Sequence, residues 1–373
     1  MISFNLRILT PPKPFLVCRC ADNMGLSVLC VILLALFEPS MTGSSVKKVE
    51  YKLDSWMESL YPLLKHKKLN EIAIPGTHNS GSYPISVGSR TTGDIIDLSH
   101  LSDFEESIPA MLDLLNRVGP RWSKCQELSI LDQLKMGVRY LDLRVYCDEV
   151  TDEYYLEHSF LGSNLTDELL QIARFVGDHP KEVVILDMMS VQNCSEHKVV
   201  SLLERFGEVF GDKLAHLPTA TKQKKKKRKK NKKAHSLPTY SRLVKKGTTV
   251  FVALRKEFIS KRFDWLWNSD KFTISPFANT ESKETLRMFI TDKMSEPRPP
   301  KSLFVSQIIL TPTTQNVFAS LFGSGAKSLQ EMAVDLNKDF IDWIEYFSKL
   351  NPNIFITDFP DRELVNKIIN MNL

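Results

Sequence analysis

Eight short apolar runs recur along this chain of 373 residues, and amphipathic stretches separate most of them. Several runs are rich in β-branched residues and are bounded by Gly, Pro or Asn, which is typical of buried parallel strands. Strands that alternate with helices predict a single-domain α/β fold, a TIM-type (β/α)8 barrel. The predicted strands are 71–74, 138–145, 154–157, 183–188, 249–254, 272–274, 303–309 and 354–357.

Three of the intervening stretches carry helical signals. Residues 165–176 form an amphipathic segment that we expect to begin with Thr166 as its N-cap. Residues 199–210 form a second one. Residues 329–350 form a third, and Ser328 with Glu331 three residues later predicts a capping box at its start.

The domain organisation predicted from the sequence is a leader, 1–46, followed by the barrel, 47–373. Residues 222–233 contain ten Lys or Arg, and removing these charges from the net charge of +5 leaves −5 for the rest of the chain. We expect this run to lie in a disordered insertion, 219–236, on the face of the barrel opposite the active site. A nuclear or nucleic-acid role for the run is an alternative, although we expect no nucleic-acid partner.

Six cysteines bear on the compartment. Three lie in the leader, and Cys125, Cys147 and Cys194 are scattered without CxxC spacing, which predicts reduced thiols in a cytoplasmic protein and neither a disulfide framework nor a zinc site. An alternative is the secretory pathway, because basic residues precede the apolar run 25–37 as in a signal peptide. Asn164 and Asn193 also begin glycosylation triplets, which often occur by chance.

Barrel enzymes place their catalytic residues just past the carboxyl ends of their strands. His78 follows the first predicted strand, Arg144 lies in the second, His158 follows the third and Asp358 follows the eighth. These residues are up to 280 positions apart, so only the barrel would bring them together. The four side chains predict one site at the barrel mouth.

Cleavage of a phosphodiester needs this set of side chains. One histidine accepts a proton from the attacking hydroxyl and the other gives a proton to the leaving oxygen. A carboxylate holds the basic imidazole in the correct tautomer, and an arginine neutralises charge on the phosphoryl oxygens. Each residue taken alone has a simpler structural role; for example, Arg144 would form an ion pair with Asp142.

Five sequence landmarks carry a family resemblance. They are IPGTH (74–78), GVRYLDLR (137–144), HPKEVVIL (179–186), VSQIILT (305–311) and ITDF (356–359). In this order they resemble the phosphatidylinositol-specific phospholipase C X-domain-containing proteins and, behind them, the bacterial phosphatidylinositol-specific phospholipases C. The resemblance covers about 56–373 and implies a somewhat irregular barrel acting on an inositol phospholipid at the membrane surface.

The resemblance implies that His78 is the general base, Asp358 its partner, Arg144 a phosphate ligand and His158 the general acid. Asn79 departs from the pattern, because the bacterial enzymes carry Asp there to support the acid histidine and the arginine. The calcium-dependent animal enzymes carry Asn there as a metal ligand.

The other ligand positions argue against calcium. Asp142 matches one acidic ligand position, but Arg144 replaces the next, and near the fourth strand end Met188 or Met189 stands where an acidic ligand is expected, although Asp187 is close. We therefore expect no metal and no cofactor, with calcium as the less favoured alternative.

Further substrate contacts are expected from Arg255, Asn279 and Gln307, together with Asn79 and Asp142. Trp265 and Trp267 are candidates for rim aromatics that face lipid, or for packing on an outer helix. The alternative to an active phospholipase C is a weakly active or inactive lipid-binding protein that keeps the barrel. The sequence does not indicate an oligomeric state.

Overall fold

Ten strands form one sheet in the computed structural model, which describes residues 50–92, 113–114, 116–216, 237–255, 262–321 and 323–373. Residues 50–373 form one compact unit. The predicted leader, 1–46, and the Lys-rich insertion, 219–236, lie outside the described residues. Among the residues that are described, no helix is long and apolar enough to cross a membrane.

Eight of the strands run parallel. They are β1 (Ile74–Thr77), β2 (Tyr140–Asp148), β5 (Val184–Gln192), β6 (Val250–Leu254), β7 (Leu266–Asn268), β8 (Thr273–Ile274), β9 (Leu303–Ile308) and β10 (Ile354–Thr357). Their order in the sheet is β7-β6-β5-β2-β1-β10-β9-β8. β7 and β8 are the two ends of this order, so the sheet curls into a barrel that is open between them. This confirms the predicted TIM-type barrel with incomplete closure.

The remaining strands, β3 (Glu153–Glu157) and β4 (Leu161–Asn164), form an antiparallel excursion from the end of β2. The prediction that 154–157 is a barrel strand was therefore wrong. Only four residues separate β2 from β3, whereas a parallel connection needs about a dozen or more.

The barrel strand that the sequence analysis missed is β7. The predicted rim role of Trp265 and Trp267 was wrong, because both indoles are buried. Trp265 packs near Gly207 of the outer helix Glu196–Phe210, whereas Trp267 lies within this strand. The indole Nε1 of Trp267 donates to the carbonyl of Ala215 at 2.7 Å.

The described residues form twelve α-helices. They are α1 (Trp56–Ser59), α2 (Tyr61–Leu64), α3 (Pro120–Ser123), α4 (Ile130–Met136), α5 (Leu165–Asp178), α6 (Glu196–Phe210), α7 (Tyr240–Lys246), α8 (Ser269–Phe272), α9 (Lys283–Ser295), α10 (Thr314–Leu321), α11 (Leu329–Phe347) and α12 (Arg362–Asn370). All three predicted helices are present, as α5, α6 and α11.

The cap of α5 differs from the prediction. Asn164, and not Thr166, caps this helix, because its Oδ1 accepts from the backbone amides of Thr166 and Asp167. Ser328 caps α11 as predicted, by accepting from the amide of Glu331. The carboxylate of Glu331 accepts from the amide of Lys327, one residue earlier than a capping box requires.

A buried ion pair joins the residue before β2 to the segment before β5. Arg139 and Glu182 are both fully buried, and Arg139 Nε and Nη2 lie 2.8 Å and 2.7 Å from Glu182 Oε2. The same carboxylate accepts from the backbone amides of Met57 and Glu58 at the first helix. Each charge therefore depends on the other for its compensation inside the protein.

The prediction that the body cysteines are reduced was wrong for two of them. Cys147, near the end of β2, and Cys194, just after β5, form a disulfide with Cα atoms 5.1 Å apart. Parallel pairing of β2 with β5 brings them together although 47 positions separate them, so spacing along the chain gave no sign of the bond. Cys125 is a free, buried thiol.

Candidate active site

A cleft of about 490 Å³ opens at the carboxyl ends of the parallel strands. The four predicted catalytic side chains, His78, Arg144, His158 and Asp358, all line it. The ring centroids of the two histidines are 6.0 Å apart. The structure therefore brings together four residues that the sequence analysis placed at four separate strand ends.

The proton positions on His78 follow from its neighbours. Its Nδ1 lies 2.8 Å from Asp358 Oδ1, while its Nε2 lies 3.1 Å from Arg144 Nη2 and 3.2 Å from Asn79 Nδ2. Because a guanidinium can only donate, Nε2 is the unprotonated acceptor and Nδ1–H donates to Asp358. This tautomer leaves Nε2 with the free electron pair that a general base needs.

His158 is held differently. Its Nδ1 donates to the backbone carbonyl of Ser123 at 2.8 Å and lies 3.4 Å from the Sγ of Cys125. Burial, followed by the nearby charges of Arg144 and His78, lowers the pKa of His158 to about 4, although the Ser123 carbonyl opposes this shift. The neutral imidazole is therefore the main form at neutral pH.

Asn79 does not directly contact His158, the histidine that an acidic residue at this position was expected to support. Its side-chain amide contacts His78 Nε2 and, at 3.4 Å, the Sγ of Cys125, so the thiol lies on the side toward His158. Its Oδ1 is buried without a protein partner. The position where an acidic residue was expected thus contacts His78 directly and His158 through Cys125.

Cys125 is the site residue that the sequence analysis missed. It follows α3, in a segment without a strand signal, and its backbone carbonyl accepts from the amide of Phe359 at 2.9 Å. Burial and the nearby carboxylate of Asp358 raise the pKa of its thiol well above the usual range. The next residue, Gln126, donates from Nε2 to the carbonyls of His78 and Thr357, which ties the ends of β1 and β10 together.

A left-handed residue directly follows each of three predicted catalytic side chains. Asn79, Ser159 and Phe359, which follow His78, His158 and Asp358, have φ angles of 42°, 58° and 45°. A non-glycine residue in this region costs about 1–3 kcal/mol and persists only where its surroundings hold it. The three amides are held by Asp142 Oδ2, Glu157 Oε2 and the Cys125 carbonyl, respectively. At each of these turns the chain changes direction at the mouth of the barrel, and the turn fixes the orientation of the preceding side chain.

The predicted substrate contacts divide into three groups. Arg255 and Gln307 line the cleft, and Gln307 donates to Ser275. Asp142 lies behind the cleft, where its Oδ2 accepts from the amide of Asn79. Asn279 is not among the residues that line the cleft, and Ser275 and Phe277 line it instead.

The acidic residues near the cleft do not fit a calcium ion. Calcium takes six to eight oxygen ligands, usually with carboxylates among them. Asp142 Oδ2 lies 3.7 Å from Arg144 Nη2, so a fixed positive charge already occupies the space beside that carboxylate. Both carboxylate oxygens of Asp187 accept hydrogen bonds, from Tyr140 and Ser269, deep in the barrel.

Within the described residues, His78, Cys125 and Asp358 form a group whose possible metal-ligating atoms lie within 4.8 Å of one another. Two members of this group, His78 and Asp358, already bind each other. The carboxylate is therefore used to orient the histidine.

Comparisons with known proteins show which family this chain resembles. The family model for the phosphatidylinositol-specific phospholipase C X domain matches residues 118–238. PI-PLC X domain-containing protein 2 of Mus musculus is 30% identical over 344 residues, which cover 90% of this chain and 92% of the relative. PI-PLC X domain-containing protein 3 of Danio rerio is 26% identical over 338 residues, covering 88% and 96%.

A solved structure shares the fold. The phosphatidylinositol-specific phospholipase C from Listeria monocytogenes aligns with a TM-score of 0.55 at 16% identity, covering 87% of this chain and 100% of that one. The sequence match to the mouse relative over nearly the full length of both chains is the stronger finding. The chain belongs to the family of PI-PLC X domain-containing proteins.

Proposed function

We propose that this protein is a phospholipase C that cleaves phosphatidylinositol-type phospholipids without calcium or another cofactor. One observation carries the proposal: His78, with Asp358 and Arg144 bound to its two ring nitrogens, faces His158 across a single cleft. A base, an acid and a fixed cation around one cleft are the groups that cleavage of a phosphodiester needs.

In the proposed reaction, the inositol 2-hydroxyl gives its proton to His78 Nε2 and its oxygen attacks the phosphorus. The bond from phosphorus to the diacylglycerol oxygen breaks, and that oxygen takes a proton from His158. Arg144 offsets the charge that builds on the phosphoryl oxygens. The products are diacylglycerol and a cyclic inositol phosphate, whose ring water can open in a second step.

A bacterial enzyme of the same fold and the residues that line the cleft both support the substrate class. The bacterial structure with the same fold is a phosphatidylinositol-specific phospholipase C. Arg255 is exposed at the cleft and suits a negatively charged head group. Phe277 is 48% exposed at the cleft and suits transient contact with a membrane surface.

A second candidate function, that of a weakly active lipid-binding protein, is favoured by His158. Its Nδ1 binds a neutral carbonyl, and its pKa is lowered to about 4. At pH 7 only about one molecule in 10³ would then carry the proton that the leaving oxygen needs. A bound phosphodiester would raise this fraction through its negative charge.

The pH dependence of turnover tests the role of His158. We expect kcat/KM for phosphatidylinositol to rise as the pH is lowered from 8 to 6, because the protonated fraction of His158 grows over this range while its pKa lies near 4. A profile measured on detergent-dispersed substrate checks this. A rate that falls steadily over the same range would contradict the assignment of His158 as the acid.

Asn79→Asp should increase activity at neutral pH. A carboxylate at this position, next to the Cys125 thiol that contacts His158, would raise the pKa of His158, and each unit increases its protonated fraction about tenfold. We expect kcat/KM at pH 7 to rise about 3- to 10-fold, while the uncharged Asn79→Ser control shows no increase. An unchanged or lower value for Asn79→Asp would contradict this view of the site.

Calcium independence is tested by assaying phosphatidylinositol vesicles with EGTA and with added calcium. The proposal predicts equal turnover in both, because Arg144 supplies the positive charge beside Asp142. Activity that EGTA abolishes and calcium restores would contradict it.

A further inference from the structure

The disulfide between Cys147 and Cys194 has no role in the proposed chemistry. It joins β2 to the segment after β5 just beyond the last paired residues of the two strands, Tyr146 and Gln192. Such bonds persist in oxidising compartments and are rare in the cytosol, where thiols are kept reduced. The bond therefore bears on where the chain folds.

The third body cysteine, Cys125, indicates that the Cys147–Cys194 disulfide is structural and not part of a redox cycle. Cys125 is buried beside Asn79 and His158, and burial keeps its thiol protonated at neutral pH. Exchange with a disulfide requires a thiolate, so Cys125 is unsuited to attack the Cys147–Cys194 bond. Among the described cysteines, none is thus suited to reduce this disulfide by thiol–disulfide exchange.

One glycosylation triplet begins at the end of β4 and the other just after β5, and their asparagines differ in one respect. Asn164 is partly exposed and caps α5 through its Oδ1, which leaves its Nδ2, the atom that carries an N-linked glycan, outside the capping contacts. Asn193 is exposed, but its Nδ2 donates to the Cys147 carbonyl at 2.9 Å and to the Tyr146 hydroxyl at 3.3 Å. A glycan at Asn164 would therefore preserve the local hydrogen bonds, whereas one at Asn193 would disturb them.

From these observations we propose that the protein folds in the secretory pathway, with Cys147 and Cys194 oxidised and an N-linked glycan on Asn164. The apolar run 25–37, preceded by Arg7, Lys13 and Arg19, supplies the features of a targeting signal. This proposal does not depend on phospholipase activity. It replaces the expected cytoplasmic location and places the catalytic cleft on the luminal or extracellular side of membranes.

The chemistry needs two co-reactants of that compartment. The two thiols lose two protons and two electrons to the disulfide of an oxidoreductase, which becomes a dithiol. Asn164 Nδ2 attacks the first sugar carbon of a lipid-linked oligosaccharide, loses one proton, and displaces the lipid diphosphate. An N–C bond replaces a C–O bond, and no electrons are transferred.

The experiment uses the full chain expressed in cultured eukaryotic cells. After alkylation in native lysate, peptide mapping without reduction should recover Cys147 joined to Cys194. Peptide-N-glycosidase should remove one glycan from the wild-type chain and thereby increase its gel mobility. Free, alkylated Cys147 and Cys194 with no mobility change would overturn the proposal.

A matched pair of variants assigns the glycan. Asn164→Asp keeps the capping oxygen and removes the acceptor nitrogen, so it should abolish the mobility change while the protein still folds. Asn193→Asp, which tolerates the left-handed backbone at φ 50°, should leave the change intact. A mobility change that survives in Asn164→Asp and disappears in Asn193→Asp would overturn the assignment to Asn164.

Discussion

His78→Ala is expected to lower kcat for phosphatidylinositol by about 10²–10⁴, the typical contribution of a positioned general base. The reason is geometric: Asp358 and Arg144 fix the imidazole so that Nε2 faces the cleft without a proton. The nearest other carboxylate, Asp142, lies behind Nε2 at 4.0 Å and is buried, so it is poorly placed to take over. Single-turnover measurements on vesicles would separate this loss from weaker membrane binding.

His216→Ala is the matched control for this variant. This imidazole is half exposed and pairs with the exposed carboxylate of Asp264, and it does not line the cleft. We expect its kcat to equal that of the wild type. A His78→Ala protein that is as active as the His216→Ala protein would show that the catalytic assignment is wrong.

Glu182→Ala is expected to lower the free energy of unfolding by about 3–5 kcal/mol, the usual effect of removing one partner of a buried ion pair. The change leaves the Arg139 guanidinium fully buried without its carboxylate. It also removes the acceptor for the backbone amides of Met57 and Glu58. Urea unfolding followed by tryptophan fluorescence measures the change.

Glu58→Ala provides the control. Its carboxylate pairs with Lys181 at 2.6 Å, close in the chain to the buried pair, but both side chains are 44% exposed. Exposed pairs contribute about 0–1 kcal/mol, so we expect little change. Equal effects of the two substitutions would mean that burial of the Arg139–Glu182 pair does not determine its importance.

The fold and the position of most of the candidate site were predictable because they depend on strand ends. His78, Arg144 and Asp358 each lie at or beside a β-rich segment, and a parallel barrel gathers such ends at one face. His158 was placed correctly for a wrong reason, since it follows an antiparallel strand. The hairpin from β2 through β4 still returns it to the mouth.

Contacts that depend on tertiary packing were not predictable from the sequence. Cys125 lies on a connection without periodic apolar residues, yet it touches both Asn79 and His158. The Cys147–Cys194 bond depends on the register of β2 with β5. Asn79 was recognised as a departure from the family pattern, but its contact with His78 required coordinates.

The central claim is that the two histidines form and release a cyclic inositol phosphate. Phosphorus-31 NMR of the water-soluble products from phosphatidylinositol vesicles in EGTA tests it most directly. We predict a cyclic inositol phosphate with an equal amount of diacylglycerol from the wild-type protein, and neither product from His78→Ala. Failure of the wild-type protein to release either product between pH 6 and 8, while it still binds the vesicles, would contradict the claim and support a lipid-binding protein.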